Sequence, residues 1–534
     1  MKYKVCILAA GKGTRVSYSE IINKALLPVG DKSAISHIID KFPEEVEIVI
    51  PLGYNGSQIK DFIELAHPER KVTFVEVDKW DGPGSGPGYS LLSCKKHLQC
   101  PFIFTACDTI VLENVPEPSM NWLGTGKVSI LKDSKDYCVA EVAHKCVTKF
   151  YDKVDTATLL KTCLDYENIL NNAFIGIAGI LDYEAFWEGL EGDTHLIRNE
   201  LQVSNGLGSL IPMTLEAVPF TWFDIGNQTS YEYTNRYFNK NKVLMKHDEF
   251  IYFEKDLVIK YFNNLDIVKK RIERAKILLP FVPKIYKHRN NFYAYKKISG
   301  RMLSQITNKK VFSQLLDFYN EKLWKKKVLS SKQKTEFKNA CSNFYKKKTE
   351  ERIKSFYEKT DMKDKEDIIN GIKVPSLSSL LKKIDWKYLE EGIPVLFHGD
   401  FQPENIIVKG DHSFVLIDWR QDFNGIIDYG DIYYDFAKLY HALIINGAII
   451  RNNQFEINIE KDGITYDFLA KGNLLEYKTV FEKFIDDKGY DINKIKILTS
   501  LIFLNIAALH HDPYNKFLYY LGKSTLFENL QEDI

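Results

Sequence analysis

This chain is poor in the features that mark a nucleic-acid binder, a membrane protein or a disulfide scaffold. Over 534 residues, 72 Lys and Arg balance 71 Asp and Glu, for a formal charge of +1. A dedicated nucleic-acid partner needs a basic face to neutralise phosphates, and the balance argues against one. Long apolar runs are missing too. The longest, LTSLIFLNIAAL at 498–509, contains Asn505 and ends at His510 and His511, so it is expected to be a buried helix and not a membrane span. The opening residues, MKYKVCILAAGKGTR, lack an apolar stretch followed by a small-residue cleavage site and do not read as a signal peptide. Eight cysteines are scattered without a CxxC pair, which favours neither a zinc cage nor a disulfide framework. These absences give the expectation of a cytoplasmic protein with no membrane insertion.

What is present is ordinary globular material, 45% apolar and 27% charged, in a chain too long for one hydrophobic core. Short apolar runs at 4–9, 47–51, 72–77, 102–106 and 128–131 are candidate strands. They alternate with amphipathic stretches near 34–41, 57–66 and 89–97, as stacked βαβ units on a largely parallel sheet would. A polar, lysine-rich segment at 239–247 is a candidate junction. Beyond it, IYFEKDLVIKYF reads as a hairpin, 266–279 as a helix, and FVPKIYKHRNNFYAYKKISG as two further strands. After Gly300 the pattern is helical except at VLFHGD and FVLIDW. Lysines crowd 321–367 with acidic residues interleaved, the pattern of a solvated helix face.

Two constellations carry chemistry. LAAGKGTR, at 8–15, is a glycine loop directly after the first strand. Gly11 and Gly13 let backbone N–H groups approach a phosphate, with Lys12, Thr14 and Arg15 beside them. Gly13 follows Lys12, which excludes the P-loop spelling, and Val16 stands where a dinucleotide fingerprint needs glycine. NKALLPVGDK follows at 23–32. Together these segments resemble the signature of nucleotidyltransferases that make nucleotide-activated sugars or alcohols from an NTP and a phosphate ester. The family usually has Pro where Asn23 stands, and Pro-Leu-Thr where this chain has Ser17, Tyr18 and Ser19. The resemblance extends to GPGSGPGYSLLSCKK at 82–96, whose Gly84, Gly86 and Gly88 match the loop that holds the nucleobase. Asp108 and Asp224 fall at the two metal-binding positions, Lys24 at the acceptor-phosphate position, and Asn172 and Glu200 in stretches that touch the acceptor.

In the second constellation, VLFHGDFQPENIIV at 395–408 places Asn405 five residues after Asp400, and Asp418 of FVLIDW follows thirteen further on. Kinases space a base-like Asp and a Mg²⁺-binding Asn in this way and add a second metal-binding Asp downstream. The segment resembles the aminoglycoside phosphotransferase and choline kinase family, and DYGDIYYDFAKL, with Asp431 and Asp435, fits that family's GDxxxDxA helix. By this resemblance Asp400 orients the acceptor hydroxyl, Asn405 and Asp418 hold Mg²⁺, and Lys260 binds ATP phosphates with Glu273 as its ion-pair partner.

The resemblances imply an α/β Rossmann-like nucleotidyltransferase domain at 1–242, followed by an α+β bilobal protein-kinase-like domain at 243–534. Its N-lobe would occupy about 243–298 and its C-lobe about 299–534. The expected protein is a bifunctional enzyme with one Mg²⁺ in each site, ATP and a second NTP (CTP or UTP) as substrates, and small-molecule partners; homo-oligomerisation is left open. Arg420, following IDW, disfavours choline and points to a sugar or polyol acceptor, while Tyr429, Tyr433, Tyr434 and Tyr440 leave a cation–π cage for choline open. A choline kinase joined to a CTP:phosphocholine cytidylyltransferase, or one silent nucleotide-binding domain, are the alternatives.

Overall fold

Nine apolar strands order the first part of the chain. In the computed structural model, which describes residues 2–127, 137–154, 158–159, 166–192, 195–239 and 248–531, they are β1 (Lys4–Leu8), β2 (Glu47–Leu52), β3 (Val72–Glu76), β4 (Phe102–Ala106), β5 (Trp122–Gly126), β6 (Cys138–Ala143), β7 (Cys146–Asp152), β8 (Ala173–Ile180) and β9 (Glu216–Pro219). Their spatial order is β3-β2-β1-β4-β8-β5-β9-β7-β6. β3, β2, β1 and β4 run parallel, and the helices expected between them are α1 (Ala34–Ile39), α2 (Gly56–Ala66) and α3 (Pro87–Ser93). Val5, Cys6 and Ile7 on β1 are fully buried, as expected for strands covered on both faces.

Beyond β4 the sheet becomes mixed, with β9 parallel to β5 but the other pairings antiparallel. β8 is antiparallel to both β4 and β5, and β7 is antiparallel to β6 and β9. Antiparallel neighbours need no crossover helix, so the chain after residue 106 supplies strands where βαβ repetition would have placed helices. The strand expected at 128–131 and nearly all of the 239–247 junction lie outside the described residues.

The hairpin after the junction forms as expected: β10 (Glu249–Glu254) pairs in antiparallel fashion with β11 (Leu257–Phe262) around Lys255 and Asp256. With β12 (Ile285–Arg289) and β13 (Phe292–Lys296) it makes a four-stranded sheet in the order β10-β11-β13-β12. The compact units do not divide near 242, however. One comprises 1–265 with 287–294, the other 266–286 with 295–534. The reason is packing. Tyr252, Ile259, Tyr261 and Phe292 belong to the same apolar core as Ile59 and Phe62, with the Phe62 ring 5.0 Å from Tyr252 and 5.9 Å from Phe292. Tyr252 Oη donates to Leu26 O at 2.7 Å and Tyr261 Oη to Ile21 O at 2.5 Å. Residues expected to serve a kinase lobe therefore brace the segment that carries Lys24.

The second unit contains α4 (Leu265–Ile277, apart from its first residue), α5 (Lys348–Thr360), α6 (Ile432–Ile444), α7 (Ile492–Ala507) and α8 (Tyr514–Asn529). The apolar run at 498–509 lies largely in α7, buried from Ile497 to Leu504. Sequence periodicity missed a four-stranded sheet here, in the order Ile372–Val374, Asp367–Ile369, Ile464–Phe468, Phe455–Ile459. Its strands are short and studded with charge, which hid them among solvated helices. The Asn370-Gly371 turn, with φ of 47° and 80°, was the available signal. No helix among the described residues is long and apolar enough to cross a membrane.

Candidate active sites

The glycine loop leaves β1 and returns to Lys24 through Asn23. Where the resembling family has proline, Asn23 is buried and fully used: Oδ1 accepts from Ala25 N at 2.9 Å, and Nδ2 donates to Tyr54 O at 2.7 Å and Ala9 O at 3.2 Å. This caps the turn Lys24–Leu26 and holds it against the end of β1. Ser19, in place of the family's threonine, donates to Val16 O at 2.6 Å. Gly13 has φ +68°, and a Cβ there would lie 3.0 Å from Lys24 Cδ; glycine lets the loop lie against the lysine stem.

Lys24 Nζ is ion-paired with Asp108 Oδ2. Burial opposes charge on both. For Asp108 it is outweighed by the Lys24 ammonium, with help from Arg15, and the carboxyl is held below its usual range. For Lys24 it is outweighed by Asp108, and the ammonium is held above its usual value. Asp224 joins them by strand pairing, because Trp222–Asp224 lies antiparallel to Thr109–Val111 with Asp224 opposite Thr109. Burial and the neighbouring Asp108 charge push the Asp224 carboxyl up. A Cβ on Gly226 would stand 2.7 Å from Asp224 Oδ1 and 3.4 Å from Asp108 Oδ2, so both carboxylates converge there.

A cavity of about 190 Å³ opens on this pair, lined also by Arg15, Tyr137, Asp152, Lys153 and Ser204. The last four escaped sequence reasoning. Asp152 and Lys153 close a strand, a placement that signals a site only when neighbours are known. Asp152 Oδ2 accepts from Ser204 Oγ, and Tyr137 Oη donates to Asp224 Oδ2 at 3.3 Å. Glu200 is tied to Lys153 Nζ at 3.5 Å and to Gln202 Nε2 at 3.0 Å. Asn172 gives its amide to Asn168 O at 2.8 Å. Neither Glu200 nor Asn172 lines the cavity. Gly11, Lys12, Thr14 and Arg15 are exposed, with Lys12 over the Tyr54 ring at 5.6 Å. The second glycine loop docks on the segment after β8: Gly84 N donates to Asn199 O at 2.7 Å and Leu201 N to Ser85 O at 2.8 Å. Gly86 (φ +118°) and Gly88 would each set a Cβ 2.8 Å from Leu201 O.

In the second unit, Asp435 organises the HGD loop. It accepts from His398 N at 2.8 Å, Gly399 N at 2.6 Å and Trp324 Nε1 at 3.0 Å. Burial raises its carboxyl to about 6. Asp431 caps α6 and accepts from Ile393 N at 2.9 Å and Tyr345 Oη at 2.7 Å. His398 is fully buried and lowered to about 4 by burial, a neutral packing residue. Asp400 Oδ2 accepts from Asn405 Nδ2 at 2.9 Å, and Asp400 Oδ1 lies 2.8 Å from Lys438 Nζ. Ile417 N donates to Asn405 O at 2.9 Å and Arg420 N to His398 O at 3.0 Å, so Asp418 is held between the other two motif segments. Its φ of +63° is a left-handed backbone of the kind found at functional turns. Arg271 Nη1 meets Asp418 Oδ1 at 2.9 Å. On α4 it is Arg271 that faces the motif, whereas Glu273 is exposed. Lys260 is buried on β11 in the first unit.

Tyr429, Tyr433, Tyr434 and Tyr440 are all buried. Each has one of the chain's own lysines near its ring: Lys327 at 4.8 Å, Lys494 at 4.8 Å, Lys348 at 5.9 Å and Lys478 at 5.5 Å respectively.

The family model for a MobA-like NTP transferase domain matches residues 5–115, and that for the phosphotransferase enzyme family matches residues 355–467. An NTP transferase domain and a phosphotransferase domain share this chain. Together they support nucleotidyltransferase and kinase activities in one enzyme. Among curated proteins, none matches. Similar solved structures include a putative glucose-1-phosphate thymidylyltransferase from Bacillus anthracis (16% identity, 46% of this chain and 98% of that one, TM-score 0.36). A UDP-glucose pyrophosphorylase in complex with UDP-glucose is similar too (18%, 45% and 100%, TM-score 0.38), as is the CTP:phosphocholine cytidylyltransferase from Streptococcus pneumoniae (17%, 44% and 99%, TM-score 0.34).

Both domains have donor sets that suit a hard cation. In the NTP transferase domain two carboxylates converge, and the upward push on Asp224 comes first from burial and then from the Asp108 charge, a repulsion that a divalent ion would relieve. No cluster of three or more His, Cys, Asp or Glu able to hold a metal occurs among the described residues, so triphosphate oxygens and water would complete the shell. In the phosphotransferase domain Asn405 gives Nδ2 to Asp400, which leaves its carbonyl oxygen to join Asp418.

Asp435 is a positioning residue, and Asp435→Asn tests it. The carboxylate accepts three N–H bonds, and an amide would set its own NH₂ against one of these donors. The expected cost is about 3 kcal/mol, read as a lowered thermal midpoint together with slower ADP formation. An unchanged midpoint with unchanged ADP formation would refute the role.

Proposed function

We propose that the chain runs two consecutive steps. The phosphotransferase domain transfers the γ-phosphoryl group of ATP to a hydroxyl of a sugar or polyol. The NTP transferase domain then joins the resulting phosphate ester to a nucleoside monophosphate, releases pyrophosphate, and so makes an activated donor for surface polysaccharide assembly. The order follows from chemistry, since the second reaction consumes the class of ester that the first one makes. The observation that carries the reading is that each domain has its own charged constellation: Asp108 and Asp224 lining one cavity with Lys24 ion-paired to Asp108, and Asp400 bonded to Asn405 beside Asp418.

In the first site the ester oxygen attacks the α-phosphorus in line, and no general base is needed because that oxygen is already anionic near neutral pH. Lys24 and Arg15 stabilise negative charge on the acceptor phosphate and the α-phosphoryl oxygens. Mg²⁺ held by Asp108 and Asp224 supplies further charge neutralisation when bound. In the second site Asp400 orients the acceptor hydroxyl and takes its proton, with Lys438 holding the carboxylate. Asn405 and Asp418 would hold the Mg²⁺ that neutralises the ATP phosphates. In functional terms the boundary falls near residue 242. The lysines near the four tyrosine rings and Arg420 support an acceptor other than choline.

The test is incubation of the full chain with Mg²⁺, ATP and each of CTP, UTP, GTP and dTTP against sugars, polyols and choline, with mass spectrometry of the products. A nucleoside-diphosphate-linked sugar or polyol is expected. CDP-choline formed without any sugar or polyol product would overturn the proposed acceptor.

A further inference from the structure

The lysine-rich stretch expected to be a solvated face is not solvated throughout. Lys348, at the start of α5, is partly buried and lies 4.2 Å from the centre of the Phe344 ring. The Arg420 guanidinium lies 4.8 Å from the same ring. Both cations line a cavity of about 290 Å³ together with Lys347 and Asn343. Neither side chain has a carboxylate or hydrogen-bond partner among the described residues, and Arg420 Nε is buried without one. The cavity's two acids do not balance them, because Asp422 is paired with Lys270 at 3.1 Å, which leaves Glu351. Burial, then the charges of Arg420, Arg352 and Lys438, push the Lys348 ammonium well below its usual value. Two cations on one ring, with Glu351 the cavity's one acid not already paired, leave a surplus of positive charge in a partly buried wall that an anion would offset.

This cavity adjoins the reacting carboxylate. Arg420 N donates to His398 O at 3.0 Å, and a Cβ on Gly399 would lie 2.6 Å from Arg420 Cβ. Asp400 is the next residue, and Lys438 Nζ, on its Oδ1 at 2.8 Å, is among the charges acting on Lys348.

We propose that the alcohol phosphorylated by the phosphotransferase domain carries an anionic group, a carboxylate or a phosphate, which Arg420 and Lys348 bind beside Asp400. This rests on the reading of that domain as the kinase and narrows its acceptor class. In the transfer, the acceptor hydroxyl oxygen forms a bond to the γ-phosphorus of ATP. The bond from that phosphorus to the bridging oxygen breaks, ADP leaves with the electron pair, and the hydroxyl proton passes to Asp400. The acceptor's own anion takes no part in bond making and sets position only. A cationic alcohol such as choline would meet uncompensated positive charge at this wall.

The experiment uses the full chain with Mg·ADP bound and titrates malonate, a dicarboxylate, and inorganic phosphate by calorimetry. Wild type is expected to bind at least one of the two anions, and Arg420→Gln and Lys348→Met each to weaken that binding by tenfold or more with Mg·ADP affinity unchanged. In a parallel assay of ADP release, glycerate and glycerol 3-phosphate are compared with glycerol and choline. Turnover of either anionic alcohol above glycerol supports the proposal and tells carboxylate from phosphate. Three results overturn it: no anion binding, anion binding that the two variants leave unchanged, or choline or glycerol turned over faster than both anionic alcohols. Loss of Mg·ADP binding in wild type would instead refute the kinase reading on which the proposal stands.

Discussion

Asp108→Ala lowers pyrophosphate release by about 10³-fold or more, while ATP-dependent ADP formation persists. Three consequences combine. A Mg²⁺ bound there would lose one of the two convergent carboxylates. Lys24, buried and ion-paired with Asp108, is left without its main counter-charge. Asp224, whose carboxyl is already raised by burial and by Asp108, cannot replace the lost ligand from its own strand. Removing one member of a buried ion pair can cost roughly 3–5 kcal/mol of stability, so Asp108→Asn is the companion variant: it keeps the side-chain size and a hydrogen bond to Lys24 while removing the charge. Both variants should lose pyrophosphate release, measured with the phosphate ester that supports turnover in wild type. Activity within about threefold of wild type in either would refute the assignment of Asp108.

Asp400→Ala has the mirror-image effect: ADP formation falls by about 10³-fold, and pyrophosphate release from a pre-phosphorylated acceptor is unchanged. Asp400 combines two relations that a structural aspartate does not need. It accepts from the Asn405 amide nitrogen, and it carries the Lys438 ammonium. Burial opposes charge on Lys438 while Asp400 raises its pKa; without Asp400 that ammonium is unpaired, so Asp400→Asn again separates chemistry from folding. Persistent ADP formation in a folded Asp400→Asn protein would show that the hydroxyl proton leaves by another route. The two experiments also read each other, since each activity serves as the folding control for the other variant.

The motifs were legible because they are local. LAAGKGTR, the Asp400–Asn405 spacing and the GDxxxD helix each place chemistry within a few residues, where backbone geometry alone brings groups together, and the matched families agree with them. The continuous apolar runs of β1 to β4 were legible for the same reason, since strands buried on both faces have an unmistakable composition. Legibility ended where a residue's role depends on its neighbours. Asn172 and Glu200 sit in plausible stretches, yet their side chains are spent on Asn168, Lys153 and Gln202. Glu273 has the expected spacing on α4, but the helix turns Arg271 towards Asp418. Charged hairpins such as Asp367–Val374 were lost because a half-exposed short strand shares its composition with a solvated helix.

By itself the sequence determined that this charge-balanced chain, without membrane-length apolar runs or cysteine pairs, holds two phosphate-transfer constellations. Spacing within a loop, a turn or one helix is set by covalent geometry, and a reader can measure it by counting residues. Tertiary structure alone decided other meetings of distant groups: β10 and β11 bracing the Lys24 segment, and Lys348 and Arg420 against one phenylalanine ring. Such meetings depend on how buried faces pack, and no count along the chain encodes that. The near-zero net charge concealed a local surplus of cations at the phosphotransferase cavity, because charge summed along a sequence carries no information about where in space it gathers.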